Sequence, residues 1–302
     1  MPVALPPQAN ARVITVAGKR CRLALADGTT MEAIARGRLF REKEEHLVVG
    51  DHVICEKHDA QWMVEKVLPR TSEFVREGLR KERQVLFANA DRVMILASLV
   101  EPETKTASID RFLVAALQGG VPPVLVLTKT DLDPQSERAD TVREQYEAFD
   151  LSVYPLSNAT GEGVERLAAD LTHGISACVG NSGVGKSSLL NRLIPGLDLR
   201  VREVSTWSGK GTHATTAALL IPYGERAALV DTPGMKSFVP YGITRESLAD
   251  LFPEIAEFAA DCRFRNCRHL AEPDCAVQAA AQRGDIAAGR FRSYRRLWEE
   301  LT

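Results

Sequence analysis

The chain has 302 residues, is 45% hydrophobic and 26% charged, and carries a formal net charge of −2, the profile of a folded protein with room for two or three domains. So balanced a charge excludes steering toward nucleic acid by the molecule as a whole, and any such binding must come from local basic faces. No apolar run reaches the roughly 18 residues of a membrane span, and Met1–Pro7 has no basic segment leading into an apolar core, so the expectation is a cytoplasmic protein with no membrane contact, whose six cysteines are free thiols or metal ligands.

From residue 10 to about 72 the chain reads as short strands: Arg12–Val16, Arg20–Leu25, His52–Glu56 and Trp62–Leu68, separated by turn signals such as Ala26-Asp27-Gly28. About five strands in so short a stretch predict a small barrel of OB-fold type, a fold that commonly holds nucleic acid on its strand face. Arg12, Lys19, Arg20, Arg22, Arg36, Arg38, Arg41 and Lys43 supply positive charge for that role, or else form a solvated barrel surface. Residues 70 to 86 mix Arg and Glu and read as a connecting segment with a solvated charged face.

Arg92–Ala97 is a buried-strand run, and Ser108–Leu117 has helical spacing that predicts a Ser or Asp cap. Val124–Leu127 then delivers Thr128-Lys129-Thr130-Asp131 at a strand end, where α/β sheets place ligand contacts. Asp131 suits the donor edge of guanine and not that of adenine; the plainer alternative is an Asp capping the next turn. Val153–Leu156 leads into Ser157-Asn158-Ala159-Thr160-Gly161, which could close over a base with backbone N–H groups or be a simple loop.

The centre of the chain is Gly180-Asn181-Ser182-Gly183-Val184-Gly185-Lys186-Ser187, entered from the apolar run Ile175–Val179 and left through the helix pattern Ser188–Leu193. This is the G-x-x-x-x-G-K-[ST] phosphate loop in its strand-to-helix context. Glycines let the backbone wrap an anion, Lys186 reaches the outer phosphates, and Ser187 offers a hydroxyl to Mg2+. Residues 195 to 216 form a long segment without periodicity, of the kind that is functional or disordered. Arg226–Val230 ends in Asp231-Thr232-Pro233-Gly234, which sets a carboxylate for magnesium through water and a glycine N–H for a γ-phosphate. Near the C-terminus, Cys262, Cys267, His269 and Cys275 form a Cys3His set suited to one structural zinc. Arg263, Arg265, Arg268, Arg290, Arg292, Arg295 and Arg296 surround it as candidate phosphate contacts.

Taken together, T-K-T-D, S-N-A, G-N-S-G-V-G-K-S, the Thr215 region and D-T-P-G resemble the five GTPase signatures in a permuted order, with the base-recognition pair ahead of the phosphate loop. With a barrel before and a cysteine cluster behind, the chain is similar to the circularly permuted ribosome small subunit-dependent GTPases (RsgA type). The resemblance implies a multi-domain α/β protein: an OB-fold RNA-binding domain over 1–72, a permuted P-loop GTPase domain over 73–240, and a helical zinc-binding domain over 241–302. It also implies a monomer that binds GTP or GDP with Mg2+, the small ribosomal subunit and 16S rRNA, and hydrolyses GTP in late subunit assembly. The nucleotide contacts would come from Thr128, Lys129, Asp131, Ser157, Asn158, Ala159, residues 180 to 187 (Gly180, Asn181, Ser182, Gly183, Val184, Gly185, Lys186, Ser187), Ser188, Asp231 and Gly234.

Three positions depart from the signatures: Thr128 where Asn is usual, Asn158 where Ala is usual, and Ala214, which leaves Thr215, favoured, or Thr216 as the magnesium threonine. Thr128 keeps a hydroxyl, so guanine preference should survive with some loss of affinity. Met235 follows D-T-P-G where Ras-type enzymes orient water with Gln, so intrinsic hydrolysis should be slow, with His213 or a partner supplying the missing function. The competing classes are a P-loop ATPase and an RNA-binding scaffold whose nucleotide site is only structural.

Overall fold

The computed structural model describes residues 4–35, 46–133, 135–199 and 218–301. Five strands open the chain: β1 (Ala11–Ala17), β2 (Arg20–Leu25), β3 (Thr30–Ala35), β4 (His52–His58) and β5 (Gln61–Val67). They pair in the order β1-β2-β3-β5-β4, and β4 pairs back onto β1, which closes an OB-like barrel. Alternation drives the closure: Val13, Cys21, Leu23, Ala33, Val53, Cys55 and Val64 point inward and are almost wholly buried, while Arg20 and Arg22 face water. Arg12 does not belong to that outer basic face. It is 4% exposed and donates to the Ala4 carbonyl at 2.9 Å and to His52 Nε2 at 2.7 Å, so a strand position beside the core has turned it into a structural residue. Lys19, Arg20 and Arg22 are exposed, whereas Arg36, Arg38, Arg41 and Lys43 lie outside the described residues.

The segment expected to be a linker is an ordered hairpin, β6 (Glu73–Glu77) with β7 (Arg83–Ala88). Its charges are paired on one side, with Glu73 meeting Arg70 and Arg83. On the other side Phe74 and Phe87 are fully buried, stacked 5.2 Å apart, and Phe238 packs onto Phe74 at 5.5 Å. That apolar face orders the hairpin. At its root Arg70 pairs with the wholly buried Asp51 at 2.7 Å, which fastens it to the barrel.

Beyond the hairpin, β8 (Arg92–Ser98), β9 (Pro123–Thr128), β10 (Val153–Pro155), β11 (Gly174–Gly180) and β13 (Ala227–Asp231) are parallel, and β12 (Leu219–Tyr223) is antiparallel. The order β10-β9-β8-β11-β13-β12 puts β11 in the interior, and Thr15 of β1 opposite Leu219 of β12 joins this sheet to the barrel. Helices α1 (Thr106–Gln118), α2 (Glu137–Glu147), α3 (Val164–Asp170) and α4 (Lys186–Leu193) accompany these strands. α1 begins ahead of the predicted start, with Lys105 at the N-cap and no side-chain cap. Asp110, one candidate for that cap, is drawn into the core instead.

The chain ends in α5 (Pro253–Ala259), α6 (Ala276–Arg283) and α7 (Ala288–Glu300). They pack on Val114 of α1 through Phe252, Ile255, Tyr294 and Leu297. Arg290, read from sequence as a phosphate contact, lies at the centre of this joint, 1% exposed. It donates to Glu254 at 2.6 and 3.1 Å and to Asp110, and lies over the rings of Phe149 and Phe252 at 4.5 Å each. Among the described residues no helix is long and apolar enough to cross a membrane.

Candidate functional site

Parallel strands in register bring their C-terminal ends to one edge: Gly180 beside Leu96, Ser98 beside Thr128, Leu127 beside Pro155, and Asp231 beside Cys178. The glycine loop leaves β11 there. Gly180, Gly183 and Gly185 have φ of 151°, 82° and 97°, and a Cβ at Gly180 would meet the Leu96 carbonyl at 2.5 Å. Only glycine fits there, so the loop turns tightly and delivers its amides beside the start of α4. Lys186, 7% exposed, caps this nest by donating to the Gly180 and Asn181 carbonyls at 2.8 and 2.9 Å. Burial lowers its basicity, against the opposing pull of Cys178 and Asp231. Ser187 is half-buried in the first turn and Ser188 exposed.

The second group of residues meets the loop from β9 and β10. Thr128 Oγ1 donates to the Val184 carbonyl at 2.6 Å and so ties the end of β9 to the glycine loop. Asp131 is exposed, and Ser157 donates to its Oδ1 at 2.5 Å. The same Ser157 oxygen accepts the amides of Ala159 at 3.2 Å and Thr160 at 3.1 Å, so one hydroxyl orients the carboxylate and shapes the loop. Lys129 is held in the left-handed region at φ 61° and donates to the Glu101 carbonyl. Asn158 Nδ2 donates to the Gly185 carbonyl at 3.2 Å.

Asp231 ends β13, and the following residues lie against the glycine loop. Ser182 N donates to the Met235 carbonyl at 3.1 Å, and Met235 N to the Gly180 carbonyl at 3.3 Å. A Cβ at Gly234 would sit 3.4 Å from Lys186 Nζ and 3.0 Å from Ser182 Cα, so this glycine borders the space above the loop. The Met235 side chain is 4% exposed and part of the core. His213, Thr215 and Thr216 lie outside the described residues.

Two contributors carry no motif. Arg192 on α4 donates to the Asn158 and Thr160 carbonyls at 3.1 and 3.2 Å, clamping the second loop to the phosphate-loop helix. Pro102, after β8, covers Gly183, whose Cβ position is 3.4 Å away. An arginine two turns into the helix was the only available signal.

At the far end, Cys262, Cys267, His269 and Cys275 place their ligand atoms within 4.8 Å of one another. Cys262 Sγ lies 3.8 Å from Cys275 Sγ, and both are 3.5 Å from His269 Nδ1. Tetrahedral bonds of about 2.3 Å to sulfur and 2.0–2.1 Å to nitrogen would give separations of about 3.8 and 3.5 Å, so the donors fit a four-coordinate metal. The Gln278 amide donates to Cys275 Sγ at 3.5 Å, a backbone contact that suits a thiolate at the start of α6. Of the surrounding arginines, Arg263 pairs with Asp274, Arg268 with Glu272 and Arg296 with Glu300, and Arg265, Arg292 and Arg295 are exposed.

Residues 67–239 match the family model of the RsgA GTPase. The small ribosomal subunit biogenesis GTPase RsgA of Gemmatimonas aurantiaca is 38% identical over 281 residues, covering 91% of both chains. The protein of that name from Chromohalobacter salexigens is 41% identical over 265 residues, covering 87% of this chain and 78% of its own. The crystal structure of YjeQ from Thermotoga maritima superposes with a TM-score of 0.78 at 30% identity, over 97% of this chain and 98% of that one. That of YloQ, a circularly permuted GTPase, superposes with a TM-score of 0.72 at 25% identity, over 99% and 98%.

Proposed function

The chain belongs to the RsgA GTPase family, and from that premise we propose that it hydrolyses GTP to GDP and phosphate at the glycine-loop edge while docked on the small ribosomal subunit during late subunit assembly. One observation carries the proposal most directly. The Asp131 carboxylate is held by Ser157 on the same sheet edge as the glycine loop, and Thr128 ties the two together. A carboxylate so placed accepts from both donors of the guanine edge, and adenine, lacking them, would leave it unpaired. The Ala159 amide borders the base, with Lys129 beside it.

In this reading the phosphates displace the carbonyls that now hold Lys186, and the ammonium and the loop amides neutralise charge as water attacks the γ-phosphorus in line. Ser187 and Thr215 would hold Mg2+, with Asp231 acting through water, and the ion would supply positive charge that offsets the outer phosphates. Gly234 donates its N–H to the γ-phosphate. With the Met235 side chain in the core, the water is positioned by His213 or by order that the ribosomal subunit imposes. Cys262, Cys267, His269 and Cys275 would hold one structural Zn2+.

The division into residues 1–72, 73–240 and 241–302 then has a purpose. The barrel face at Lys19, Arg20 and Arg22 and the exposed Arg265, Arg292 and Arg295 contact 16S rRNA phosphates. The protein works as a cytoplasmic monomer. Multiple-turnover GTP hydrolysis with and without purified small subunits tests the proposal, with His213→Ala in parallel. The expected result is slow turnover alone and much faster turnover with subunits; a rate indifferent to subunits would overturn it.

A further inference from the structure

We infer that Asn158 supplies the amide tether that Thr128 cannot, so that the base-binding and phosphate-binding loops are held together by a divided clamp in which Thr128 and Asn158 each grip one of two consecutive carbonyls. The inference rests on the guanine-nucleotide reading above and assigns a positioning role within that site. The argument begins with donor arithmetic. A threonine hydroxyl has one hydrogen to donate, and at 128 it is committed to the Val184 carbonyl at 2.6 Å. The next carbonyl, Gly185, belongs to a residue at φ 97° that serves as N-cap of α4. It accepts the Leu189 amide of α4 at 2.9 Å and keeps a second lone pair, which Asn158 Nδ2 reaches at 3.2 Å from the loop after β10.

Both side chains converge on one spot. A Cβ built on Gly185 would lie 3.0 Å from Asn158 Nδ2 and 4.0 Å from Thr128 Oγ1. The orientation of the amide follows, because the reverse flip would set two oxygens against each other. Its Oδ1 is then buried without a partner among the described residues, an arrangement that disfavours Asn as a mere space-filler. The contact at Gly185 is what offsets that cost. Backbone position at 158 does not depend on the side chain, since Arg192 holds the Asn158 carbonyl at 3.1 Å and Ser157 holds the following amides. Removing the amide therefore takes the second donor from the Gly185 carbonyl and leaves the loop in place.

The sequence departs from the GTPase signatures at these two positions together, Thr128 for Asn and Asn158 for Ala, and the structure makes one departure the complement of the other. Asn has moved from the strand end to the neighbouring loop and still faces the same turn of the phosphate loop. Base and phosphates of one nucleotide must be gripped at a fixed separation, so a tether between their loops acts on how long the nucleotide stays.

The test is the dissociation rate of a fluorescent GDP analogue from the full-length protein and from Asn158→Ala, Asn158→Asp, Thr128→Asn and the Thr128→Asn/Asn158→Ala double variant. Circular dichroism and thermal melting are recorded for each. Asn158→Ala should release GDP about 3- to 10-fold faster, the worth of one neutral hydrogen bond. Asn158→Asp, isosteric but opposing an oxygen to the Gly185 carbonyl, should be worse than Ala. In the Thr128→Asn background, where the strand end again offers two N–H donors, Asn158→Ala should change the rate less than about 2-fold. A side chain that merely stabilises the loop would show equal effects in both backgrounds, and that result, or unchanged release in Asn158→Ala, overturns the inference while leaving the guanine reading intact. If the unsubstituted protein bound no guanine nucleotide, the underlying reading would fall and the inference with it.

Discussion

Arg290 is the residue whose removal should be felt most. Its guanidinium sits between Asp110, wholly buried, and Glu254, whose side chain is 10% exposed, and it is the positive charge that both carboxylates share. Arg290→Met keeps most of the stem's volume and its packing against Phe149 and Phe252, but leaves two acids facing each other in the joint between α1, α5 and α7. Breaking one partner out of a buried ion pair typically costs about 3–5 kcal/mol. For a chain of this size, each kcal/mol lowers the melting temperature by about 2–4 °C, so the transition that includes the C-terminal helices should fall by about 6–20 °C. The pH dependence provides a second check. Burial raises the Asp110 pKa above the ordinary carboxylate value, and Arg290 opposes that rise. Without the arginine it rises further, so the folded variant binds a proton more readily than the unfolded chain. Stability tied to that proton is present at low pH and lost as pH rises through the folded pKa, so the deficit of the variant should be largest near pH 8 and shrink toward pH 5. Thermal melts of both proteins across that range decide the matter. A deficit below about 1 kcal/mol, or one indifferent to pH, would refute the view that this guanidinium neutralises the joint.

Asp131→Asn should weaken GDP binding about 10- to 100-fold, since charge-assisted hydrogen bonds of about 1.5–3 kcal/mol are lost, and should shift preference toward xanthine nucleotides, which isothermal titration with GDP and XDP can measure. Cys262→Ser should reduce bound zinc from one equivalent to near none by elemental analysis, and a chelator should lower the melting transition of the unsubstituted protein, because binding energy at such a site is folding energy. His52 accepts a hydrogen bond from Arg12, and burial, followed by the Arg12 charge, lowers its pKa to about 4. With the unfolded value near 6.5, the folded barrel resists protonation, so stability should fall as pH drops from about 6.5 toward 4, and His52→Gln should flatten that part of the pH profile.

The phosphate loop, Asp131 and the Cys3His cluster were legible because their chemistry demands particular residue types at fixed short spacings. The barrel was legible from alternation, which Leu23, Val53 and Val64 satisfy by pointing inward. Where charge suggested surface, sequence misled. Glu73, Arg76 and Arg83 hid the Phe74–Phe87 face of the β6–β7 hairpin. Arg290 looked like one more tail arginine because its partners lie 36 and 180 positions away. α2 escaped notice because of its eleven residues only Ala139 and Tyr146 are buried, too few to impress a period on the sequence. Thr128 read as a loss of affinity and Asn158 as an unrelated departure until their hydrogen bonds placed them on neighbouring carbonyls.

Everything proposed for the nucleotide edge turns on base selection, so the most direct measurement is a titration of the purified protein with GDP, followed by competition with ATP. Saturable binding that a hundredfold excess of ATP fails to displace is the predicted result. No binding, or displacement by ATP at matched concentration, would contradict the account.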